Sequence, residues 1–179
     1  MSQYVAFFKG LNVGGQHRVK MAALTACFTE LGFQHVRSYI QSGNVLFESP
    51  LAPATLATTI RQHFTAQFGF DSAVIIRSAA ELTALLQRQP FNVDQLTAAA
   101  AVNPRQAHVY IYFALTAADV AIVTERIPKT ANFKVDGNHC YVFCPEGVSR
   151  SPLAQKLGRL PVTLTARNLR TLEQIVARF

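Results

Sequence analysis

The sequence predicts an α+β fold of duplicated ferredoxin-like (βαββα) units, with antiparallel sheets and helices on one face. Three observations lead there. The first half reads strand, helix, strand, strand, helix, strand, the ferredoxin-like order. The second half repeats that order. The central turns also match: Tyr39-Ile40-Gln41-Ser42-Gly43-Asn44 is echoed by Phe133-Lys134-Val135-Asp136-Gly137-Asn138. The chain has 179 residues, half of them hydrophobic and 15% charged, which suits one large domain or two small joined ones rather than disorder.

The first strand is expected over residues 3–9, an aromatic and β-branched run. A helix over 21–31 follows from the helical spacing of Leu24, Cys27, Phe28 and Leu31, and Gly32 ends it. Strands at 35–40 and 44–48 flank a hairpin signal, Gln41-Ser42-Gly43-Asn44. A helix at 56–68, a strand at 73–77 and a helix at 81–87, stopped before Pro90, complete a first unit over residues 1–89. Residues 90–106 read as a connector, Ala-rich in its middle, where Ala98–Ala101 can extend a short helix, with a turn at Asn103-Pro104. The second unit, 107–179, has strands at 108–115, 132–135 and 139–143 and helices at 117–126 and 152–157. It ends with an extended piece at 162–164 and a helix at 168–177.

Duplication allows a subtraction. The two hairpins align at a shift of 94 residues and the two first strands at 105, so the first unit carries roughly 11 extra residues. The surplus is the loop at residues 10–20, Gly10-Leu11-Asn12-Val13-Gly14-Gly15-Gln16-His17-Arg18-Val19-Lys20. In the second unit Leu115-Thr116 turns straight into a helix capped by Thr116. The loop is therefore expected to be an addition for function rather than a structural necessity.

Glycines let a backbone approach a ligand closely, and Lys9, Arg18 and Lys20 supply charge, as anion sites require. The candidate ligand-binding residues are Lys9, Asn12, Gly14, Gly15 and Lys20 from this loop, with Gln41, Ser42 and Asn44 as neutral hydrogen-bonding partners from the hairpin. Arg167 and Asn168 join them because residues 165–170 are expected to open the last helix, whose positive N-terminus favours anions. The loop matches neither the P-loop pattern nor G-x-G-x-x-G. No catalytic residue can be named.

The formal charge is +7, with six cations against two acids from Glu146 onward. His139, Cys140 and Cys144 lack a second ligand pair, so no metal is expected. No carboxylate precedes Glu30, which leaves a Mg²⁺-dependent transferase or a two-carboxylate hydrolase nothing local to use. No cofactor is implied. No apolar run reaches a membrane span, no secretion signal is evident, and three cysteines argue against a disulfide scaffold, so a cytoplasmic protein is expected. The leading reading is binding of a small, phosphate-bearing anion. An enzyme acting on a small phosphorylated or carboxylated metabolite is the alternative, and a nucleic-acid-binding module the second.

The segments Lys9-Gly10-Leu11-Asn12-Val13-Gly14-Gly15, Tyr39 to Phe47 and Thr165-Ala166-Arg167-Asn168-Leu169 resemble domain-of-unknown-function family 1697. Its small bacterial members carry R-G-I-N-V-G-G, Y-I-Q-S-G-N-V-x-F and T-(A/T)-R-N-W at these places. The resemblance implies a duplicated α+β fold and no established activity. Lys9 replaces the usual Arg, which loses the bidentate fork, and Leu169 replaces the usual Trp, which removes an aromatic platform.

Overall fold

The computed structural model describes every residue except Gln16, which falls within the expected 10–20 loop and lies outside the described residues. The chain divides into two compact units, residues 1–84 with 175–179, and residues 85–174.

In the first unit, β1 (Ser2–Phe8), β2 (Gln34–Tyr39), β3 (Asn44–Ser49) and β4 (Val74–Ser78) form an antiparallel sheet in the order β2-β3-β1-β4. Helices α1 (Met21–Glu30) and α2 (Pro53–Phe68) pack on one face, and α3 (Ala79–Gln87) follows β4 directly. Side chains alternate along β1: Tyr4, Ala6 and Phe8 join the core with Phe28, Phe47, Ile60 and Phe64, while Val5 and Phe7 are buried on the other face. Burial on both faces explains why β1 reads as an unbroken apolar run.

The second unit holds α4 (Val93–Val102), β5 (Val109–Ala114), α5 (Ala117–Arg126), β6 (Phe133–Asp136), β7 (His139–Phe143), α6 (Pro152–Gly158), β8 (Leu164–Asn168) and most of α7 (Leu169–Val176). Its sheet order, β6-β7-β5-β8, repeats that of the first, and each unit is βαββαβ. The fold is therefore a duplicated ferredoxin-like α+β arrangement.

Register gives the same surplus as the sequence subtraction. Phe7 pairs with Asn44, 37 residues on, and Phe113 pairs with His139, 26 residues on, a difference of 11. Both sequence alignments slip by one residue against the ladders, in the same direction, so their difference survives. The connection from β1 to α1 uses residues 9–20, whereas that from β5 to α5 uses residues 115–116.

Two segments differ from expectation. The stretch read as a connector contains α4, started by a capping box in which Asn92 Oδ1 accepts from the Gln95 N–H (2.8 Å) and Gln95 Oε1 accepts from the Asn92 N–H (3.1 Å). Asn-x-x-Gln before an alanine run was the available signal. The extended piece near the end is a full strand, β8, running through Asn168. Arg167 therefore lies in the sheet opposite Ile111 rather than at the mouth of a helix.

Candidate functional site

The 10–20 loop is held by one side chain. Asn12, in a left-handed conformation (φ 58°), donates through Nδ2 to the Val19 carbonyl (3.0 Å) and the Gln41 carbonyl (2.9 Å). Its Oδ1 accepts from the Val19 N–H (2.9 Å). One amide thus closes the loop on itself and ties it to the β2–β3 turn. Leu11 and Val19 are buried beneath, which anchors both ends of the loop in the core. Asn12 is a clamp, and both of its side-chain N–H groups serve the fold.

The hairpin is fixed in the same way. Asn44 is fully buried and donates to the Tyr39 carbonyl and the Ser42 hydroxyl, each at 3.0 Å. Gly43 sits against Phe8 and Leu11: a Cβ there would lie 3.0 Å from Phe8 Cβ and 3.2 Å from Leu11 Cδ1, at φ +72°. Its carbonyl accepts from the Phe8 N–H (3.0 Å). The structure thus brings loop and hairpin together, with Asn12 and Asn44 as internal struts and Gln41 exposed at the turn.

Around this frame stand the cations. Lys9 has its backbone pinned, donating to the Ala73 carbonyl (3.0 Å) and accepting from the Ser72 hydroxyl (3.0 Å), and its side chain is exposed. The Arg18 guanidinium lies beside the exposed Gly15, whose Cβ position is 3.7 Å from Arg18 Nη2. Lys20 is the N-cap residue of α1, and its side chain makes no capping hydrogen bond; no acid occupies the first turn. Among the described residues, Lys9, Arg18 and Lys20 form no ion pairs. The chain has no Asp or Glu among its first 29 residues, and Asp71, next to the Ser72 that holds the Lys9 carbonyl, is paired with Arg61. The matching start in the second unit is the opposite: Thr116 caps α5 in a capping box with Asp119.

Arg167 and Asn168 belong to the second unit and do different work. Arg167 is 8% exposed and donates from Nη1 to the Thr165 hydroxyl (3.0 Å) and the Ala166 carbonyl (2.9 Å). Burial pulls its pKa down to about 10. Asn168 Oδ1 accepts from the Thr171 N–H (2.8 Å) and caps α7. A counterpart missed in the sequence is Arg77, which pairs with Val5 as Arg167 pairs with Ile111 and donates to the Ile76 carbonyl (2.8 Å). The signal was present: Arg77-Ser78 and Arg167-Asn168 both close a fourth strand just before a helix.

The cysteines carry no evident chemistry. All three are buried, and burial pushes the Cys27 thiol up to about 11, with Glu30 adding to the effect. Among the described residues no group of three His, Cys, Asp or Glu side chains is placed to hold a metal ion, and no helix is long and apolar enough to cross a membrane.

Comparison with known proteins adds the family and the fold. No curated protein matches the sequence. The structure is similar to that of the conserved bacterial protein SP0830 from Streptococcus pneumoniae, with a TM-score of 0.70 and 22% identity over 98% of this chain and 97% of that one. The sequence profile of the protein of unknown function DUF1697 matches residues 1–141. With that match over most of its length, the chain belongs to the DUF1697 family.

Proposed function

We propose that the 10–20 loop of the first unit binds a small anion, a phosphate-bearing metabolite. The observation that carries this reading is the start of α1. A lysine stands at the N-cap where the duplicate unit has threonine in a capping box, and no acid in the first turn offsets the helix dipole. A cation at that end opposes the dipole, so the arrangement costs stability unless an anion joins it. Lys9, Arg18 and Lys20 supply the charge, and the N–H groups of Gly14 and Gly15 supply donors. Gln41 and Ser42 meet the neutral part of the ligand. Asn12 and Asn44 hold loop and turn in place, so little ordering is needed on binding.

Calorimetric titration of the intact protein with inorganic phosphate and a nucleoside monophosphate tests this. Saturable binding that weakens about tenfold or more in the Lys9→Ala/Arg18→Ala/Lys20→Ala variant is expected. Unchanged binding in that variant would remove the loop site. A single-stranded oligonucleotide serves as comparison. A log affinity falling with log salt at roughly −0.7 per phosphate contact, over several contacts, would instead favour the nucleic-acid reading.

A further inference from the structure

Duplication places a crevice at the same position in each unit, beside the end of the fourth strand and the start of the helix that follows. In the first unit it has a volume of about 670 Å³ and is lined by Tyr4, Ser78, Ala80, Glu48 and Glu81 among others. In the second it has a volume of about 300 Å³ and is lined by Tyr110, Asn168, Arg170, Arg105, Gln106 and Ser149 among others. Strand register makes them counterparts: Tyr4 pairs with Ser78 as Tyr110 pairs with Asn168. Ser78 and Asn168 then cap α3 and α7 respectively.

The chemistry of the two crevices is inverted. In the first, Glu81 folds back on Ser78, accepting from its N–H (2.7 Å) and its hydroxyl (2.8 Å), so the helix start carries its own carboxylate. Glu48 adds a second carboxylate to that crevice, where it meets His35 (3.1 Å) and the field of the N-terminal ammonium of Met1. In the second unit Thr171 stands where Glu81 does, and the first turn of α7 has no acid. Arg170 replaces Ala80, and Arg105 enters from the segment after α4. Both guanidiniums are exposed and, among the described residues, neither forms an ion pair. Among the described residues, no carboxylate lines the crevice.

We propose that this second crevice is an oxyanion site, separate from the 10–20 loop, that takes a phosphate group, free or as a small phosphate ester. Two guanidiniums provide forked, charge-assisted donors, and Ser149 and Gln106 supply neutral ones. The volume, at the lower end of the roughly 300–1,000 Å³ typical of ligand sites, suits a small phosphorylated molecule rather than a polymer. The first unit shows the same architecture with its helix start already bonded to an internal carboxylate, so the inversion in the second is one of sequence and not of fold.

Amide NMR of the intact protein, titrated with inorganic phosphate at constant ionic strength, tests the proposal and keeps the two sites apart. Gly14 and Gly15 report on the loop, and Ser149 and Asn168 to Thr171 report on the crevice. Saturable shifts at the crevice amides are expected, with apparent affinity falling about tenfold or more in Arg105→Ala/Arg170→Ala while the loop amides respond as before. Arg170→Ala alone gives the same reading if the double change perturbs the fold. No saturable shift at Asn168 to Thr171 in the unmodified protein, or shifts that survive both arginine changes, would overturn the site whatever the loop amides do.

Discussion

Four helix starts divide this duplicated molecule more sharply than its two sheets do. Helices α3 and α5 begin with a carboxylate, from Glu81 and Asp119, that hydrogen-bonds back to the capping residue. Helices α1 and α7 begin without any acid in the first turn, and cations stand nearby: Lys20 and Arg18 at α1, Arg170 at α7. Among these four, each unit has one start neutralised by its own carboxylate and one left open, without an acid, at opposite connections; Asn168 caps α7 but adds no charge. A helix start that satisfies itself contributes about 1 kcal/mol to stability, whereas an open, cation-lined start is the arrangement an external anion completes. The comparison separates what the fold requires from what has been added to it.

The largest expected effect probes the cores beneath these starts. In the first unit Phe28 touches the rings of Phe8, Phe33 and Phe47. Replacing it by Ala should destabilise the protein by about 3–5 kcal/mol, because the rigid aromatic neighbours cannot collapse into the space. The second core is built around Val123, Val142, Leu157 and two cysteines, and Cys140→Ala there should cost far less in chemical denaturation. Equal losses would mean that the first unit's aromatic core gives its loop no firmer base.

The two hairpins offer the next contrast. Gly43 and Gly137 both have positive φ, but a Cβ at Gly43 meets Phe8 and Leu11 whereas nothing lies within 4 Å of one at Gly137. Gly43→Ala should cost about 2–4 kcal/mol, combining backbone strain with crowding, and Gly137→Ala about 1 kcal/mol from strain alone. Thermal unfolding of the pair checks this. Similar costs would mean that the loop and turn are not as tightly joined as the Phe8 and Leu11 contacts imply.

Smaller still is the effect of the clamp. Asn12→Ala removes two donated bonds and one accepted bond and should cost about 1–3 kcal/mol. Asn12→Gly keeps the left-handed backbone available and separates strain from clamping. If the clamp dominates, both variants should raise hydrogen exchange at Val19 and proteolysis within the loop. A Gly variant that behaves like the wild type would assign Asn12 a backbone role only.

Much of this was legible in the residues. Element order, duplication and the 11-residue surplus all follow from hydrophobic period and turn chemistry, because those signals are local. The closeness of loop and hairpin was expected, but the division of labour within it was not. Asn12 and Asn44 look like ligand-binding amides in a sequence, and only the carbonyls they meet at Val19, Gln41 and Tyr39 show them to be struts. Arg167 was misplaced for a related reason. Beside a capping Asn it reads as the mouth of a helix, and strand pairing with Ile111, a non-local contact, decides otherwise. The inversion between Glu81 and Thr171 was hidden because it appears only once ladder register aligns the fourth strands.

The measurement that bears most directly on the central claim exchanges one helix start for its counterpart. Lys20→Asp gives α1 the capping carboxylate it lacks and removes one of the loop's three cations. If the open start is kept for an anion, the variant should be about 1 kcal/mol more stable than the wild type in denaturant unfolding without ligand. Its phosphate affinity, read at the Gly14 and Gly15 amides, should fall about tenfold. A variant that gains no stability, or that gains stability and binds phosphate as before, would contradict the account.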